Sequence, residues 1–118
     1  MATFEQIETA ARRYITAEII PHIPEEDWKG SLTKMGGGAF AFLMLRNKRR
    51  EFEAKAAELR AAGILDEQGE LDVEFLAEAA KQFFPASGQR IEIKGLPPMT
   101  FKPSDVDVLL SYVEGVNT

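Results

Sequence analysis

A chain of 118 residues, 45% apolar and 28% charged, has the balance of one globular domain rather than a disordered segment. Its formal net charge of −5 repels nucleic acid and anionic membrane when the molecule acts as a whole. The absence of cysteine excludes disulfides, thiolate catalysis and zinc sites built on sulfur.

The chain opens with an amphipathic helix. Thr3 and Gln6 stand at capping-box spacing, and Phe4, Ile7, Ala11, Tyr14 and Ile15 recur at three and four residues. Pro21 should end this helix near Ile19 or Ile20. Pro24 is placed to open a short second helix, with Glu25, Glu26 and Asp27 at its positive end and Trp28 and Leu32 pointing inward. Gly36, Gly37 and Gly38 close that segment and permit close approach to a neighbour.

A third helix is expected from about Ala39 to Ala62, ended by Gly63 as a left-handed cap. Phe40, Leu43, Met44 and Leu45 cover more than one side of its first half. That half should therefore be enclosed, by its own chain or by a second copy. "DEQGEL" reads as a turn, after which Asp72 caps a fourth helix, with Leu71 and Leu76 at hydrophobic-staple spacing. Val73, Leu76, Ala77, Ala80 and either Phe83 or Phe84 form its buried side, and Pro85 stops it.

At "RIEIKGLPPMTF" the period changes from helix to strand. Ile91 and Ile93 alternate with charged residues, and Met99 and Phe101 flank Thr100, giving a β-hairpin whose loop is longer than two residues. Ser104 then caps a last helix with Val106, Leu109, Leu110 and Val113 inward and Gly115 at its end. The chain reads as a single domain over 1–118. Its class is α+β, mostly α, with about five helices and one β-hairpin before the C-terminal helix.

"MGGGAFAFLMLRNKRR", residues 35–50, is the stretch that most invites a chemical reading. The apolar run from Gly36 to Leu45 makes about 15 Å of helix against roughly 30 Å of hydrocarbon, so it does not span a bilayer. No Gly-Lys-Ser/Thr follows the glycines and no apolar strand precedes them, which argues against a phosphate loop. "DEQGELDVEFL" resembles a calcium loop only loosely. With Gly69 as its sixth position, Ile64 is first and Phe75 twelfth, and neither chelates calcium.

His22 is the only histidine and reads as a loop residue, so a two-histidine metal site within one chain is excluded. Among 19 acids no catalytic carboxylate pair is singled out, and no serine has a nucleophile-elbow context. The expectation is therefore no enzyme, no catalytic residue, no metal and no cofactor. The acidic start, "MATFEQIETAARR", does not look like a signal peptide and points to the cytoplasm.

Two interaction surfaces remain. The first joins the apolar start of the third helix to the hairpin, through Phe40, Leu43, Met44, Ile91 and Ile93. It implies a protein-interaction or assembly protein that self-associates, such as an accessory factor of a larger particle of phage or prophage type. The second is the basic cluster Arg46, Lys48, Arg49 and Arg50, which would serve a small regulatory nucleic-acid-binding protein. Successive residues rotate by about 100° around a helix, so these four make a ring rather than a stripe. Glu51 and Glu53 partly neutralise them. The first surface is the favoured reading.

Overall fold

Everything is arranged around the first helix. The computed structural model describes residues 1–27, 36–92 and 98–117, and the side chains at 25, 37, 38, 40 and 117 lie outside that description. A two-residue strand β1 (Ala2–Thr3) leads directly into α1 (Phe4–Tyr14). The Thr3 hydroxyl accepts from the Gln6 amide at 3.2 Å, and the Gln6 side chain accepts from the Thr3 amide at 2.9 Å. Two of the amides otherwise left unpaired at the helix start are thus satisfied, as the capping-box spacing predicts.

Pro21 acts one turn earlier than its own position. From Ile15 to Ile19 the helix widens into a π turn, where the amide of Ile20 donates to the carbonyl of Ile15, and a 3-10 turn follows over Ile20–His22. A proline ring crowds the carbonyl four residues back, here Ala17, and the wider turn relieves that contact. Of the expected second helix the description includes only a 3-10 turn at Glu25–Asp27. Trp28 and Leu32 lie outside the described residues, as does Ile93.

α2 runs from Gly37 to Glu53, with Gly36 at φ +78° before it. The single helix expected to Ala62 is in fact two. The chain turns at Ala54 and Lys55, then resumes as α3 (Ala56–Ala61). Nothing in "EFEAKAAELR" disfavours helix, so the break is tertiary. Bending returns Leu59 and Ile64 to the wall formed by Phe4 and Ile7. Gly63 at φ +77° ends α3, with Ile64 donating to the Leu59 carbonyl and Gly63 to that of Arg60.

The turn that follows is organised by Asp66, whose carboxylate accepts from the amides of Gln68 and Glu70, both at 2.9 Å. It delivers β2 (Glu70–Leu71), which pairs antiparallel with β1 in the register Ala2↔Leu71 and Thr3↔Glu70. Asp72 caps α4 (Val73–Phe83) by accepting from Phe75 at 3.1 Å. The hairpin is β3 (Gln89–Ile91) against β4 (Met99–Phe101), with Ile91 opposite Met99.

α5 spans Pro103–Asn117. Ser104 is not its cap: Asp105 reaches back to accept from the Lys102 amide at 2.8 Å. Gly115 does not end it either, because the helix continues for two more residues. The class is α+β and mostly α, with five α-helices and two small antiparallel sheets among the described residues. None of these helices is long and apolar enough to cross a membrane.

Two apolar clusters sit on either side of Tyr112. One gathers Tyr14, Ile15, Ile20 and Ala41, and the other Ala2, Ala10 and Val113. A relay of edge-to-face rings, Phe84–Phe101–Tyr14–Tyr112, links the end of α4, the hairpin, α1 and α5 at centroid spacings of 5.8 to 6.4 Å.

The hairpin depends on Gly88, which has φ +99°. An added Cβ would collide with Thr100 Cγ2 and stand 3.1 Å from Lys102 Cγ. Gly88→Ala should therefore cost about 2 kcal/mol, close to 8 °C in Tm by calorimetry. Gly69→Ala, in open space at φ +78°, should lose about half as much, from backbone strain alone.

Candidate interaction surface

The apolar start of α2 divides between core and solvent. Ala41 is fully buried, and Met44 and Leu45 pack against the cluster around Tyr14. Phe42 and Leu43 face outward, 41% and 38% exposed. The Arg12 guanidinium, from α1, covers one side of the Phe42 ring at 5.4 Å. Among the residues singled out from sequence, Leu43 thus lies on the surface, Met44 is partly buried against the core, and the side chain of Phe40 lies outside the described residues. Ile91 is half-buried and lines the cleft between α1 and the hairpin. Phe42, next to Leu43, is the residue that sequence reasoning missed. An apolar run that covers every side of a helix carries no signal for which side stays outside.

The basic cluster also divides. Lys48 is held 3.3 Å from Glu51, and Arg49 lies 2.7 Å from Glu8 and 3.1 Å from Glu53. Glu8, on α1, has only 9% of its side chain exposed, so Arg49 is tied down against the first helix. Arg46 and Arg50 have no ion pair among the described residues and lie on the Leu43 side of the axis. The expected ring of four cations becomes one anchored to α1, Arg49, one in an exposed pair along its own helix, Lys48, and two without an ion pair among the described residues. Sequence pointed to Glu51 and Glu53 as neutralisers; the role of Glu8, some forty residues away, had no local signal.

A second exposed surface lies on α4. Phe83 is 85% exposed and Phe75 57%. Phe84, not Phe83, is the one that turns inward, onto Phe101. On another side of the same helix, Lys81 is held 2.9 Å from both Glu78 and Asp107.

Two of the clefts between the described elements border these surfaces. One of about 580 Å³, between α1 and the hairpin, is lined by Tyr14, Ile19, Met99 and Phe101 with Glu18, His22 and Asp105 at its edge. The other, of about 380 Å³, lies between α1, α2, α3 and α4 and is almost wholly apolar, with Lys48 and Arg49 at its margin.

The resolved proton affinities all move away from neutrality. Burial, then the carboxylates of Asp105 and Glu18, raises the Tyr14 hydroxyl. Tyr112 is raised by its 2.8 Å hydrogen bond to Glu18, with burial adding to it. Lys81 is raised by its hydrogen bonds to Glu78 and Asp107. For acid–base chemistry at pH 7 these groups are shifted in the wrong direction. Among the described residues no three His, Asp or Glu side chains converge to hold a metal ion.

The fold and surface thus define a small, mostly helical α+β domain with exposed apolar side chains on α2 and α4 among the described residues. No protein-family model, curated protein or solved structure matches the chain.

Proposed function

We propose that the protein is a non-catalytic interaction or assembly protein that associates with copies of itself through the apolar start of α2. The observation that carries this reading is the adjacent exposure of Phe42 and Leu43 on a helix that already packs Ala41, Met44 and Leu45 against its own core. A contiguous apolar patch rimmed by charge is what a protein contact requires, whereas isolated surface leucines are ordinary. A cytoplasmic setting belongs to the same reading, since a chain without cysteine gains nothing from an oxidising compartment.

Light scattering over a wide concentration range tests it. The mass should rise with concentration. Leu43→Glu should weaken association at least about tenfold, since burying a charge against an apolar surface outweighs the roughly 1.4 kcal/mol which that factor represents. Its melting curve should match that of the native chain. A mass that stays monomeric throughout, together with a salt-sensitive shift of an oligonucleotide, would favour nucleic-acid binding by Arg46 and Arg50 instead.

A further inference from the structure

The two exposed helix faces are opposite in charge. On α2, Phe42, Leu43, Arg46 and Arg50 fall within about 100° of arc, and Glu51 and Glu53, the acids nearest them, are occupied by Lys48 and Arg49. On α4, Phe75, Ala79 and Phe83 follow the i, i+4, i+8 ridge of the helix. Glu74 and Glu78 border that ridge on one side. Nearby, Glu78 and Asp107 share the single cation Lys81, so the border stays acidic.

We infer that the α4 ridge of one copy docks on the Phe42–Leu43 face of α2 in a second copy, so that self-association is head-to-tail. The inference deepens the self-association reading above and rests on it. The lengths correspond when the two helices run antiparallel. With Phe83 against Phe42 and Leu43, Glu78 falls between Arg46 and Arg50, and Glu74 lies beyond Arg50, at about 1.5 Å of rise per residue. Ala79, at the middle of the ridge, lets the backbones approach. At about 200 Å² per ring, Phe75 and Phe83 present roughly 280 Å² of exposed apolar surface. That is more than a third of the ~800 Å² a standard interface takes from each partner.

Pairing α2 with α2 would place arginines against arginines, and pairing α4 with α4 would place Glu78 near its own copy. Like charges oppose both arrangements. A contact between two different faces leaves one of each kind free in every dimer, so assembly continues to a ring or an open filament.

Complementation of two variants tests this. Leu43→Glu/Arg46→Glu removes the α2 face and keeps α4; Phe75→Ser/Phe83→Glu removes the α4 face and keeps α2. Each alone should be monomeric where the native chain forms particles larger than dimers. Mixed, they should form a one-to-one dimer that grows no further. Because the chain lacks cysteine, Leu43→Cys mixed with Phe83→Cys should also give a disulfide-linked pair, which reports the same contact independently. If the native chain associates but the α4 variant associates equally well, or the mixture stays monomeric, the head-to-tail contact is wrong and self-association stands. If the native chain never associates, both readings fall.

Discussion

Replacing Tyr14 by alanine should lower stability by about 4 kcal/mol, or roughly 15 °C in Tm. Tyr14 is 7% exposed and belongs to the larger apolar cluster. Its ring meets Phe101 and Tyr112 edge-on at 6.4 and 5.8 Å. Truncation therefore empties the junction of α1, α5 and the hairpin, and leaves Phe84 as the remaining ring partner of Phe101. Tyr14→Phe keeps the ring and should stay within about 1 kcal/mol of the native protein at pH 7.

The hydroxyl has its own signature at alkaline pH. Burial and the carboxylates of Asp105 and Glu18 raise it above the ordinary tyrosine value of 10.0. Between the unfolded and folded values the native state holds a proton that the unfolded chain has lost. Its stabilising contribution is thus complete below about pH 10 and declines as pH rises through the folded value. Denaturant titrations of Tyr14→Phe should show a shallower alkaline decline than the native chain. An equal slope would place the effect elsewhere, with Tyr112 the next group to substitute.

Tyr14 was legible in the sequence for the same reason it matters: it repeats with Phe4, Ile7 and Ala11 at helical spacing. Caps were legible too. Thr3 with Gln6, Asp72, and Gly63 act within five residues of themselves, so their hydrogen bonds are encoded locally. What could not be read depends on distant parts of the chain. β1 and β2 are two residues each, too short for any alternation, and exist because residues 2–3 and 70–71 meet. The bend at Ala54–Lys55 opposes local propensity and serves the return of Leu59 to α1. The same holds for the surface: choosing Leu43 and Phe42 over Met44 requires knowing where α1 lies.

Arg49→Met should be the most damaging change in the basic cluster, costing about 2 kcal/mol, whereas Arg46→Glu/Arg50→Glu should change stability by less than about 0.5 kcal/mol. Arg49 holds Glu8 at 2.7 Å, and Glu8 is 9% exposed beside an apolar cleft. Without Arg49 that carboxylate is left desolvated and unpaired. Removing Glu8 instead leaves Arg49 with Glu53 and 27% of its side chain in water, so Glu8→Leu should cost about half as much. Arg49 is not ideally satisfied even in the native protein: its Nε is shielded from water with no aligned acceptor, although Glu53 lies 3.1 Å away. The double variant Glu8→Leu/Arg49→Met should therefore recover most of the loss, giving a coupling of at least about 1 kcal/mol in a denaturant-unfolding cycle. Additive losses would mean that the pair does not join α1 to α2. Since this pair fixes how α2 sits on α1, Arg49→Met should also weaken self-association, although Arg49 lies outside the proposed contact.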